Sequence, residues 1–177
     1  MSGPRIRREL RPGDYGAIIE MHGRLYAREH GNDSSFEAMV AGSVTRAAMR
    51  GFPRERERLW VVESDGGFAG SLALTDEDGV TGMIRWVLLD PAVRGQGLGR
   101  TLVSEAVAEA RELGYERLEL ETFSDLTTAA AIYRSHGFRL TGEEIGPRWG
   151  RDSVAYQHYV LDLTEVEAKP PDRSAVA

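Results

Sequence analysis

Residues 93–113 read VRGQGLGRTLVSEAVAEAREL, with glycines at 95, 97 and 99 leading into apolar residues at Leu98, Leu102, Val103, Ala106, Val107, Ala110 and Leu113. That spacing predicts an amphipathic helix, and Gly114 is placed to stop it. A helix opens with amide N–H groups that have no intrahelical acceptor, and its aligned peptide dipoles put about half a positive charge at the same end. Glycines at Gly95, Gly97 and Gly99 let a phosphate oxygen approach those amides closely, and Arg94 adds fixed positive charge at the loop mouth. The expected ligand is a phosphate ester or a pyrophosphate. Two other phosphate loops fit poorly. A triphosphate loop ends in Gly-Lys-Ser/Thr, whereas these glycines lead into Arg100 and Thr101; a dinucleotide fingerprint is Gly-x-Gly-x-x-Gly after a first strand, whereas this stretch is Gly-x-Gly-x-Gly late in the chain. The plain alternative is a turn that only joins strand to helix.

On either side of the loop the pattern is strand-like. TGMIRWVLLDP reads as a strand that Pro91 ends, and RLELETF alternates at period two. Residues 83–122 thus form a βαβ unit, so these two strands are expected to be parallel with a right-handed crossover. Upstream, a short strand begins near Ile6. A helix follows with Ile18, Ile19, His22, Leu25 and Tyr26 on its stripe and Gly31 at its end. A second helix is capped by Ser34 or Ser35, carries Phe36, Met39, Val40 and Val44, and ends near Gly51 and Pro53. RLWVVES and FAGSLAL flank Asp-Gly-Gly, a hairpin signal because these residues supply the positive φ of tight primed turns. Downstream, LTTAAAIYRSHGF predicts a short helix ending at Gly137. Two further strands, FRLTGEE and VAYQHYVLDL, are separated by a loop. The order is βααβββαβαββ, an α/β chain with a mixed sheet. One domain is expected over 1–163, with 164–177 a disordered tail.

Bulk properties narrow the function. The 177 residues are 41% hydrophobic and 28% charged, the balance of a soluble globular domain. No apolar run approaches a bilayer-crossing length, and MSGPRIRREL lacks a hydrophobic region after its charges, so no membrane association, no secretory signal and a cytoplasmic location are expected. The formal charge of −6, with arginines scattered among acids, argues against nucleic acid as a partner. There is no cysteine, which removes disulfides, thiolate metal sites and any acyl-cysteine relay. No His/Asp/Glu set has metal-ligand spacing, so no metal is expected.

Arg94-Gly95-Gln96-Gly97-Leu98-Gly99 matches Arg/Gln-x-x-Gly-x-Gly, and VLLDPAVRG, ELETF and AAAIYRSHGF stand around it in the corresponding order. Together these segments resemble the GNAT superfamily of acyl-CoA N-acyltransferases from Ile6 to Leu163. The resemblance implies a donor, acetyl-CoA, bound where two parallel strands splay apart: the strand ending at Leu89 and the strand from Arg117 to Thr122. It implies transfer of the acetyl group to a primary amine of a small molecule, peptide or protein, and a partner in a second copy, since homodimers are common in the family. The donor's contacts would come from Val87, Leu88 and Leu89, from Arg94 to Gly99 with Arg100 and Thr101, and from Ser124 or Asp125 in place of the family's frequent asparagine, where this chain has Leu126. An amide near Val87 or Leu88 would bond the thioester carbonyl.

Tyr133, four residues before Gly137, stands where the family commonly places the tyrosine that protonates the departing thiolate; the plain reading of a tyrosine beside Ala129, Ala130 and Ile132 is helix packing. Glu121, twelve positions earlier, matches a glutamate base of some family members, or is a surface acid if its strand face is solvated. The first two helices usually wall the acceptor site, which here brings forward His22, Tyr26 and Glu29; His22 is equally read as core. A narrower resemblance links RPGDYGAIIEMHGRLYAREHG and SDLTTAAAIY to the acetyltransferase half of MarR-GNAT fusion proteins, without the DNA-binding half. The competing functional class is a GNAT-fold acyl-CoA sensor or interaction module with no chemistry.

Overall fold

The computed structural model describes residues 3–65 and 67–164. The tail expected to be disordered lies, apart from Thr164, outside the described residues. The elements follow the anticipated order: β1 (Arg5–Arg7), α1 (Asp14–His30), α2 (Ser34–Met49), β2 (Arg58–Ser64), β3 (Gly67–Asp76), β4 (Thr81–Leu89), α3 (Leu98–Glu112), β5 (Arg117–Phe123), α4 (Thr127–Ser135), β6 (Arg139–Arg148) and β7 (Arg151–Asp162). The stops at Gly31, Gly114 and Gly137 all have positive φ, which glycine adopts without a Cβ penalty.

Seven strands form one sheet in the order β1-β2-β3-β4-β5-β7-β6. Only β4 and β5 run parallel, joined through α3; every other pair is antiparallel. Both faces are covered, so β2 reads as an almost unbroken apolar run instead of an alternating one. Trp60 and Val62 point with Leu72, Ile84, Leu118 and Leu120 into a core under α3 and α4. Leu59 and Val61 point with Ala73, Trp86, Leu88 and Phe123 into a second core under α1 and α2.

Two local expectations change. The cap of α2 is Asp33, whose carboxylate accepts from the Ser35 amide at 2.9 Å; the shorter hydroxyl of Ser34 or Ser35 is not the capping group. The loop between the last two strands is a two-residue turn: β6 continues to Arg148, which pairs with Arg151 across Trp149 and Gly150, at φ 51° and 76°. The hairpin tip is docked, since the Asp33 amide donates to the Trp149 carbonyl oxygen at 2.8 Å. Trp149 thereby packs beside Phe36 at the base of α2, with ring centroids 5.0 Å apart.

Candidate active site

The sheet has a gap at its centre. Strands β4 and β5 pair from Thr81↔Arg117 to Ile84↔Leu120 and no further, although both continue, β4 to Leu89 and β5 to Phe123. The cause lies on the other edge of β4. Between Ala73↔Arg85 and Ser71↔Leu88, two steps along β3 face three along β4, a bulge centred on Trp86, which has φ 51°. Ser71 Oγ fixes it by donating to the Trp86 carbonyl oxygen at 2.6 Å. Gly70 makes room, because a Cβ there would stand 2.5 Å from the Leu88 carbonyl oxygen. The bulge bends β4 away from β5, and main-chain groups of residues 85–89 on that side have no strand to pair with. A cavity of about 950 Å³ opens there, lined by α1, α2, β4, α3, β5, α4 and the Trp149 turn.

The glycine loop forms one wall. Gly95 and Gly97 have φ 77° and 80°, and a Cβ on either would meet nothing within 4 Å. Gly97 is the residue before the first turn of α3 and has no side chain to cap it, so the first amides of α3 are left to an external acceptor. These are the properties an oxyanion cradle requires. Gly99 also lines the cavity and serves packing as well, for a Cβ there would stand 3.2 Å from Ile132 of α4, and its absence lets α3 and α4 approach closely. Arg94 is not a free charge at the mouth. Its Nε donates to the Leu89 carbonyl oxygen at 2.9 Å and its Nη1 to Glu29 at 3.0 Å. Glu29, expected to meet the acceptor, is occupied by that ion pair, which ties the loop to α1. Arg100, Val87, Leu88, Leu89 and Leu98 line the cavity; Gln96, Thr101 and Ser124 do not. Gln96 and Ser124 are exposed, and the Thr101 hydroxyl bonds back to the Gly97 carbonyl oxygen at 3.3 Å. Asp125 reaches the cavity already paired with Arg151 at 2.6 Å. An anion held that way gives no attraction for a phosphate.

Tyr133 and Glu121 face this same space. Tyr133 is 4% exposed, its ring lies against Phe138 and Tyr159, and its hydroxyl makes no hydrogen bond among the described residues. Burial, aided by the neighbouring Tyr26 phenol, raises its pKa well above that of free tyrosine, so the hydroxyl stays protonated at neutral pH. The ring packs in the core, and the hydroxyl has no partner among the described residues. Glu121 is exposed into the cavity and accepts from the Tyr156 hydroxyl at 2.8 Å. Its strand face is not simply solvated, for Glu119 two residues earlier meets His158 at 3.1 Å.

The far wall is aromatic. Tyr26 stacks on Phe36 at 4.5 Å, Phe123 meets Tyr26 and Trp149, and Trp149 meets Tyr156 at 5.9 Å. His22 is part of this wall and also of the core; its Nδ1 lies 2.7 Å from the Ile18 carbonyl oxygen, and burial lowers its pKa to about 4, so the ring is neutral. Met39, expected on the buried stripe of α2, is 43% exposed because that part of the helix borders the opening. Sequence reasoning missed Trp86, Trp149 and Tyr156, which come together only through the bulge and the hairpin turn. No group of three or more His, Asp or Glu is disposed to hold a metal ion among the described residues. No helix among them is long and apolar enough to cross a membrane.

Comparison with known proteins agrees with this geometry. The chain is 38% identical over 82 residues to the uncharacterized N-acetyltransferase YjgM of Escherichia coli, covering 45% of this chain and 49% of that one. It spans about half the length, or less, of the curated relatives it matches first. Among solved structures, yncA from Salmonella typhimurium, with its cofactor acetyl-CoA, superposes with a TM-score of 0.70 at 23% identity over 94% of this chain and 98% of that one. Spermidine N-acetyltransferase from Vibrio cholerae, in complex with CoA and spermine, gives 0.64 at 18% identity over 92% and 96%. A profile of the Acetyltransferase (GNAT) family matches residues 20–138, well over half of the sequence. The chain belongs to the GNAT acetyltransferase family.

Proposed function

We propose that the protein transfers an acetyl group from acetyl-CoA directly to a primary amine, with donor and acceptor bound together. The observation that carries this reading is the unpaired stretch of β4 and β5 beyond Ile84, because it joins the open amides of α3 to a space lined by Tyr133 and Glu121. The open cradle at Gly95 and Gly97 fits a diphosphate, and acetyl-CoA would supply an activated thioester in the gap. The donor named for yncA and the amine named for the Vibrio cholerae enzyme support the same reaction class.

In this reading the first amides of α3 hold the diphosphate. An amide of bulged β4, at Val87 or Leu88, polarises the acyl carbonyl and stabilises the developing oxyanion. Glu121 takes a proton from the acceptor, so that a neutral nitrogen attacks. As the C–N bond forms and the C–S bond breaks, Tyr133 delivers its proton to the sulfur, and the proton that the acylated nitrogen then loses restores the phenol, leaving a neutral amide and a free thiol. A protonated phenol at neutral pH is the required form. The absence of cysteine from the chain supports direct transfer over an acyl-cysteine intermediate.

A thiol-release assay over a panel of amines tests this. Replacing Tyr133 with phenylalanine is expected to lower kcat by about 100-fold or more while leaving acetyl-CoA affinity in place. Tight acetyl-CoA binding without turnover of any amine would identify an acyl-CoA-binding module instead.

A further inference from the structure

The arginine side chains on the cavity wall have hydrogen-bond or ion-pair partners within the chain itself, with one exception. Arg94 is held by Glu29 at 3.0 Å, Arg85 by Glu77 at 3.2 Å, and Arg100 donates to Ser135 at 3.1 Å. Arg46, in the last turn of α2, also lines the cavity, and its guanidinium has no hydrogen-bond or ion-pair partner among the described residues. Its side chain runs back along the helix, as long helical side chains do. A Cβ on Gly42 would lie 3.7 Å from Arg46 Nη1 and would meet nothing else within 4 Å. Glycine inside a helix is destabilising, and no packing neighbour requires it at this position. The guanidinium takes this path over the helix surface, and a Cβ at position 42 would make only an ordinary contact with it.

The position of that path is fixed. One turn before Arg46, Ser43 Oγ accepts from Trp86 Nε1 at 3.1 Å, which ties α2 to the bulge of β4. Helix α2 covers the α1/α2 face of the sheet, whereas α3, which opens with the phosphate cradle, covers the other face. The unmatched cation therefore stands on the acceptor side. A helix end favours a cation in its last turn, but that does not explain why this one is unpaired and borders the cavity.

Resting on the transferase reading, we infer that Arg46 determines acceptor specificity by receiving a carboxylate, and that the acceptor is an amino acid with an apolar or planar side chain. The guanidinium offers a forked pair of donors that matches a carboxylate. Phe36, Trp86 and Trp149 supply the surface for the body of the molecule, and Glu121 stands for its amine.

The test compares kcat/KM for a panel of amino acids, each beside its amide and its decarboxylated amine. The amino acids are expected to be preferred by about tenfold or more, the effect of one charge-assisted hydrogen bond. Arg46→Gln is expected to raise KM for the preferred amino acid by a similar factor, and to leave KM unchanged for its decarboxylated amine and for acetyl-CoA. Arg46→Lys should restore part of the loss. Arg46 is exposed, so neither variant is expected to disturb folding. Turnover confined to amines without a carboxylate, or an effect of Arg46→Gln on acetyl-CoA, overturns the inference and leaves the transferase reading intact; no turnover of any amine defeats that reading itself.

Discussion

His22 is neutral in the folded protein, because its Nδ1–H is directed to the Ile18 carbonyl oxygen and the ring is 4% exposed. Burial pulls its pKa from 6.5 down to about 4. The unfolded chain therefore takes up a proton between those values that the folded chain refuses. Stability attributable to this residue is complete above pH 6.5 and is lost as pH falls through the window toward 4, by about 2 kcal/mol between pH 7.5 and 5. Carboxylates held low by arginines, such as Glu57 and Glu63, titrate below their ordinary 4.5 and make their losses at lower pH, which keeps the two effects apart. Thermal unfolding at pH 7.5 and pH 5 is expected to show a fall of several degrees in the native chain and a smaller one in His22→Leu. Equal falls in both would mean that His22 is not the group responsible. The same low basicity argues against His22 as the base and favours Glu121.

The start of α3 separates two kinds of glycine that look alike in sequence. Gly97 is at positive φ with open space around it, while Gly99 is inside the helix and packs on Ile132. Gly97→Val combines a β-branched side chain with a left-handed backbone and places it where the cradle must stay open. It is expected to weaken CoA binding by about tenfold or more in calorimetry, and undiminished affinity would remove the diphosphate from this helix end. The loop, α3 and both flanking strands were legible because each is a local pattern with its own stop signals. The gap was not, because its cause is long-range: TGMIRWVLL reads as a plain strand, and only Ser71 and Gly70 on the neighbouring β3 reveal why Trp86 leaves the ladder. The Arg94–Glu29 pair spans 65 positions and is illegible for the same reason. Trp149 is an unusual residue for a positive-φ turn, so sequence alone offered only a loop where the aromatic wall is completed.

At the scale of the whole molecule, one parallel pair in an otherwise antiparallel sheet gives a single place where a passage can cross from the α3/α4 face to the α1/α2 face. On either side the pairing continues, β5 with β7 along its whole length and β4 with β3 on both sides of the Trp86 bulge, so opening this seam does not expose the two cores. The price of the seam is borne by unpaired main chain at residues 85–89, which a bound donor would satisfy. CoA at one hundred times its Kd is expected to add about 2.7 kcal/mol of stability, a rise in Tm of roughly 5–10 °C for a chain of this size. Amide hydrogen exchange should slow at the end of β4, through the glycine loop into the first turn of α3, and at α4, while β1 and the edge strand β6 exchange as before. ATP or NAD should do neither. A uniform slowing over all strands would instead indicate that the ligand tightens the whole fold without entering the seam, and that the gap between β4 and β5 is not where the donor lies.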